Sequence, residues 1–276
     1  MTLANSRVLA GASPEAKRAG TRLVVRRWLA LLVPAGLLLA WFLATDVLRI
    51  FSPNQLPSPG QTLRTALDMI ASGDLFRHIG ASVGHVLLGF SIGAAIALIA
   101  GALVGLSRSV EAVVDPTLQA LRNIPSLAWV PFLLLWLGID EAPKITLIAI
   151  GAFFPVYLNL VSGIRQADRK LVEVGYVFGF RSFELVRRIV LPSASPYLLA
   201  GLRIGFGQAW LFLVAAELIA STRGLGFMLI DGQNSARPDI MLVSILTLAL
   251  LGKLSNSALR AVEWWALHWA DVFQGR

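Results

Sequence analysis

Residues 82–107 contain no Asp, Glu, Lys or Arg, a length that crosses roughly 30 Å of hydrocarbon as a tilted helix. A chain carrying such a stretch has few fold choices. In lipid every backbone N–H and C=O needs a partner inside the protein, so helices are the expected solution. Similar apolar runs recur at 28–45, 123–139, 145–164, 196–221 and 240–258. The sequence therefore predicts an all-α polytopic membrane protein with six transmembrane helices.

Composition agrees. Hydrophobic residues make up 56% of the chain and charged ones 14%, against about 25% charged in soluble domains. The formal charge is +8 and the mean hydropathy +0.71. An excess of Lys and Arg in a polytopic protein reflects loop orientation, so it does not argue for nucleic acid. Cysteine is absent, which removes disulfides, thiolate metal sites and thiol catalysis.

The chain divides as follows. Residues 1–27 form a basic tail, expected to be disordered, and 28–47 a first span retained as an anchor. Residues 48–77 are a loop with a short helix, which Thr62 is expected to cap. Residues 78–263 hold the remaining spans, and 264–276 an interfacial tail marked by Trp264, Trp265 and Trp269. Pro125 and Pro131 predict a kinked or broken helix at 123–139. Gly80/Gly84, Gly89/Gly93 and Gly101/Gly105 are pairs spaced by four, a pattern that lets a neighbouring backbone approach closely. With a cytoplasmic N-terminus, the Lys and Arg outside are Arg49, Arg64, Arg77, Lys144, Arg223 and Arg237; Arg203 lies within a span and all the others face inside. The positive-inside rule thus places both termini and the long polar segment 165–192 in the cytoplasm, and 222–239 outside.

That polar segment is the most informative. Asp168 is placed to cap a helix over 169–178, Gly179 to end it in the left-handed conformation, and Ser182 to cap a second helix ending before Pro192. Pro196 would then open the next span. Two short helices joined by a glycine bend can insert into a partner's groove or rest on anionic headgroups. The spacing decides between them. Glu173, Gly179 and the Ile189-x-Leu191-Pro192 group resemble the cytoplasmic EAA loop of ABC importer permeases, with Val174 and Gly175 where that pattern favours alanines.

The resemblance extends over roughly residues 50–270. Leu121–Ser126, Trp136–Glu141, Phe154–Tyr157, Gly201–Ile204 and Leu251–Leu254 are similar to the permease subunits of aliphatic sulfonate, taurine and nitrate importers. It implies a type I ABC importer permease fold with cytoplasmic coupling helices, in the bacterial cytoplasmic (inner) membrane. Glu173, Val174, Gly175, Gly179, Ile189, Leu191 and Pro192 would dock the ATPase. It also implies two ATPase subunits, a second permease copy and a periplasmic or lipid-anchored binding protein. The glycine pairs suggest a homodimer with the pathway between the copies. No phosphate-cradling loop is present, so the chain itself is not expected to be an enzyme or to bind a cofactor; ATP and Mg would belong to the partner. No metal spacing exists among His78, His85 and His268, and His85 reads as a packing or interfacial residue. Arg203 and Gln208 are the candidates for lining an anion pathway, against snorkelling or pairing of Arg203. Glu217 reads as paired or facing a polar gate. A secondary transporter or channel would also have six spans, but should carry ion-coupling acids in mid-membrane.

Overall fold

The computed structural model of the chain describes residues 32–268, which are helical with no strand among them. They fall into two compact units, one up to Leu63 and one from Arg64 onward. The basic tail, the start of the first span and Trp269 lie outside the described residues.

In the first unit, α1 (Leu32–Val47) is apolar and ends in a π-helical turn, Leu43–Val47. The Trp41 indole donates to the Pro57 carbonyl at 3.0 Å and so fastens the proline-rich loop. Ser58 caps α2 (Pro59–Ala71) by accepting from the Gln61 N–H at 3.2 Å. Thr62, the expected cap, instead lies inside that helix and donates to the Ser58 carbonyl. Pro59 moves the start earlier, because a proline at the first helical position loses no hydrogen bond.

In the second unit, α3 (Asp74–Leu106), α6 (Glu141–Arg165) and α9 (Leu191–Ala220) pack on one another. Tyr157, Val156 and Ala97 are wholly buried among them. Small residues make the approach possible. A Cβ on Gly89 would lie 2.7 Å from the Ile148 Cβ, and one on Gly93 would overlap the Ala149 carbonyl. Gly101 and Gly105 face Leu160 and Ile164 on the same helix α6, while Gly80 and Gly84 face open space. The glycine pairs, expected to suit a second copy, are thus largely taken up between α3 and α6. Within lipid such close packing supplies the association that hydrophobicity cannot.

Residues 108–122, expected as a connection, form α4 (Arg108–Arg122), capped by Ser107, whose hydroxyl accepts from the Val110 N–H. Asp115 accepts from the Tyr157 hydroxyl at 2.8 Å, and Glu111 pairs with Arg165 at 2.7 Å. A 3-10 turn (Ser126–Trp129) and α5 (Val130–Leu137) follow, at 90° to α4. The break falls at Pro125, which pushes its predecessor out of the helical region; Pro131 sits harmlessly in the first turn of α5.

Four helices among the described residues are long and apolar enough to cross a membrane: α3, α6, the run Val186–Ile219 and α11 (Pro238–Ala266). The α4–α5 pair makes a fifth only as a bent span, and α1 is shorter. Of the six expected spans, four stand as single long helices among the described residues, a fifth is broken at Pro125, and the described part of the first begins at Leu32. α3 also starts earlier than expected, and α11 runs on to Ala266 with Trp264 and Trp265 exposed. Residues 222–239, expected as a polar exterior stretch, contain α10 (Leu225–Asn234). Its Leu225 and Met228 are buried with Leu75 and Val243.

Candidate functional site

The polar segment begins with α7 (Arg169–Val177). The Asp168 carboxylate accepts from the Lys170 N–H at 2.9 Å, the cap the sequence predicts. Gly179 has φ 78°. Its N–H donates to the Tyr176 carbonyl at 2.9 Å and the Phe180 N–H to the Gly175 carbonyl at 3.0 Å, a complete Schellman ending. The chain then enters α8 (Ser182–Leu185), which runs through a π turn (Val186–Val190) directly into α9.

The second short helix is therefore an extension of α9. Pro192 does not end it, and Pro196 lies inside α9 rather than opening it. The reason is local. Leu191 donates to the Val186 carbonyl five residues back, and this wider turn gives room to the Pro192 ring, which has no N–H to offer.

Gly175 explains how α7 is held. A Cβ there would lie 2.6 Å from Leu185 Cδ2 and 2.7 Å from Ile189 Cδ1, so a small residue at 175 lets α7 rest closely on the 185–189 turn, and a large one would have to displace those side-chain ends. The fold thus brings Gly175 and Ile189 together, with Gly179 as the bend that ends α7. Glu173 and Val174 point outward from it. Tyr176, Val177 and Phe178 expose 63, 87 and 74% of their surface, an apolar patch left uncovered among the described residues. Leu191 is 46% exposed and Pro192 half-buried, one turn further along.

Arg203 pairs with Glu263 of α11 at 3.4 Å, an acid distant in sequence with no motif around it to single it out. Gln208 is half-buried, and five residues of helix put it about 140° round the axis from Arg203. The two candidates for lining a pathway do not share a face.

The opposite end of the second unit carries a buried polar cluster. Glu217, 1% exposed, accepts from Ser82 at 2.9 Å and from the Gly226 N–H at 2.8 Å, and meets His85 Nδ1 at 2.9 Å. His85 Nε2 meets Glu141. Lys144, also buried, donates to Glu141 at 2.9 Å and to Ser221 at 3.4 Å. The positive-inside count assigns Lys144 to an outer loop, whereas it lies buried in the first turn of α6. Ser82 accepts in turn from the Leu225 N–H at 2.8 Å. Glu217 and Ser82 therefore satisfy the first two N–H groups of α10 from neighbouring helices, and a carboxylate at a helix N-terminus also meets the positive end of its dipole.

The strap leading to α10 fits this role. Gly224 has φ 121°, and a Cβ on it would run into the Glu217 carboxylate; one on Gly226 would lie 2.6 Å from Glu217 Cβ. An acid in a span followed by Gly-x-Gly is the one local trace of this arrangement in the sequence, and it names none of the distant partners. Close by, Asp239 accepts from Thr65 at 2.7 Å and from Arg237 at 2.6 Å; that bond holds the Arg237 guanidinium above its ordinary pKa. Among the described residues no group of three or more His, Asp or Glu is arranged to hold a metal.

The family described as "binding-protein-dependent transport system inner membrane component" matches residues 89–265. The chain belongs to that family. This permease is 40% identical over 245 residues to the putative aliphatic sulfonates transport permease protein SsuC of Bacillus subtilis (strain 168), covering 89% of this chain and 88% of the relative. It is 38% identical to the protein of the same description from Escherichia coli (strain K12), covering 90% and 96%. Among solved structures it is similar in fold to a chain of the inward-facing MetNI methionine ABC transporter. There the TM-score is 0.52 at 20% identity, over 68% of this permease and 95% of that chain. The type I importer permease fold is thereby established.

Proposed function

We propose that this permease is the membrane-spanning subunit of an ATP-driven importer in the bacterial cytoplasmic membrane, and that it passes a small organic anion, an aliphatic sulfonate first of all. Taurine, nitrate or another small solute would use the same machinery. Hydrolysis of ATP belongs to a separate ATPase, of which two copies dock on two copies of this chain. A binding protein delivers the cargo and carries most of the selectivity. Both termini and α7 face the cytoplasm, with six spans in all.

The observation that supports this reading best is the α7 frame. A short helix is seated through Gly175 and ended by Gly179, while nothing among the described residues covers its outer apolar residues. Such a helix suits insertion into a partner groove. Glu173, Val174, Gly175, Gly179, Ile189, Leu191 and Pro192 are the docking residues in this account, the glycines as frame and the others as contact or support. The relatives' names support the sulfonate. Arg203 has its charge met by Glu263, which favours a packing role for it over a lining role; with Gln208 it remains the candidate to test for anion passage.

The test is co-purification of a tagged permease with its ATPase, for wild type, Gly179→Asp and Glu173→Arg. Both variants should insert normally and lose the ATPase from the eluate. Wild-type ATPase yield together with wild-type transport in both variants would refute the docking role.

A further inference from the structure

The end of the bundle away from α7 has an arrangement that constrains its protonation. Both ring nitrogens of His85 face carboxylates, Nδ1 toward Glu217 on α9 and Nε2 toward Glu141 on α6. An ionised carboxylate only accepts hydrogen bonds, and a neutral imidazole donates from one nitrogen and presents a lone pair at the other. With a neutral ring and two ionised acids, one contact would set lone pair against lone pair. The geometry is satisfied only if the cluster holds one proton more than neutral His85 and two carboxylates provide.

Charge leads to the same count. Two acids, Glu141 and Glu217, face two cations, Lys144 and a doubly protonated His85, with Ser82 and Ser221 as neutral partners. From α10 only backbone N–H groups reach the cluster. Glu217 and Lys144 are almost wholly enclosed, where an unbalanced charge is expensive.

We propose that His85, Glu141 and Glu217 form a proton-binding latch joining α3, α6 and α9, closed when the extra proton is present. On its loss the weaker member is the His85–Glu141 contact. Glu141 is half exposed at the start of α6 and keeps Lys144 as a partner, whereas Glu217 is enclosed and held by two further donors. Deprotonation therefore frees the first turn of α6 from α3 and leaves the α10 strap anchored on Glu217. His85 is a positioning residue in this scheme. The latch does not depend on what the permease carries.

The experiment is thermal unfolding of the full chain in lipid nanodiscs from about pH 6 to about pH 9, spanning the range in which histidines titrate. The wild-type midpoint should fall as the pH rises, on the order of 5 °C across the range. Glu141→Gln should flatten that fall, because its amide can donate to the lone pair of a neutral ring. His85→Gln should flatten it as well, with a lower midpoint throughout, and it serves alone if Glu141→Gln does not fold. A flat wild-type profile, or variant profiles parallel to the wild type, would overturn the proposal.

Discussion

The two ends of the second unit solve opposite problems. At the α10 end, charged and polar groups are buried and answer one another: Glu217 meets Ser82, His85 and a backbone N–H, and Lys144 meets Glu141 and Ser221. At the α7 end, the backbone is complete but Tyr176, Val177 and Phe178 stand exposed. One end is closed off by its own helices; the other leaves an apolar surface open among the described residues. In the proposed account the difference separates what holds the fold from what would receive the drive.

The largest effect should come from breaking the finished end. Glu217→Ala leaves the Gly226 N–H, Ser82 and His85 without their acceptor, and removing one partner of a buried pair costs about 3–5 kcal/mol. Thermal unfolding of the purified permease should show a deep loss of stability, with Glu217→Gln milder. A midpoint within a degree of wild type for Glu217→Ala would mean that the cluster does not anchor α10.

The frame of the open end comes next. Gly175→Leu forces α7 away from Leu185 and Ile189, an overpacking cost of about 1–3 kcal/mol. The effect should be confined to hydrogen-exchange protection over 169–190, with α3, α6 and α9 unchanged. Loss of protection throughout the core would show that the two ends are not separate.

On the exposed patch the comparison sharpens further. Val177→Asp should change stability by no more than about 0.5 kcal/mol, as surface substitutions do, yet cut ATPase co-purification at least tenfold. The smallest effect is expected at Arg203. Its pair with Glu263 is part-exposed and worth about 1 kcal/mol or less, so Arg203→Gln should lower the unfolding midpoint slightly. Impaired uptake at limiting substrate with unchanged stability would instead assign Arg203 to anion passage.

What could be read from the sequence follows the same division. The α7 end was legible because its constraints are local: Asp168 caps, Gly179 turns, and a small residue stands at 175, all within a few residues of chain. Even there the continuity of α8 with α9 escaped, since a proline signals a helix stop and gives no sign of the π turn that accommodates it. The α10 end was not legible, because its partners are distant in sequence. Ser82 and Glu217 are 135 residues apart, and His85 next to an acid is invisible until the helices pack. The glycine stripe on α3 was recognised as a packing surface, but spacing alone does not say that the neighbour is α6 of the same chain. Likewise α4 went unseen because an amphipathic helix with four charges among apolar residues reads as a connection between spans.

The central claim is that α7 is the surface on which the ATPase sits, and the absence of cysteine makes it directly testable. Single cysteines at Val177 and at Asn234, both exposed and at opposite ends, should be compared for cross-linking to the co-expressed ATPase by a short bifunctional thiol reagent. The account predicts a permease–ATPase adduct from Val177→Cys and none from Asn234→Cys. An adduct from Asn234→Cys with none from Val177→Cys would contradict it.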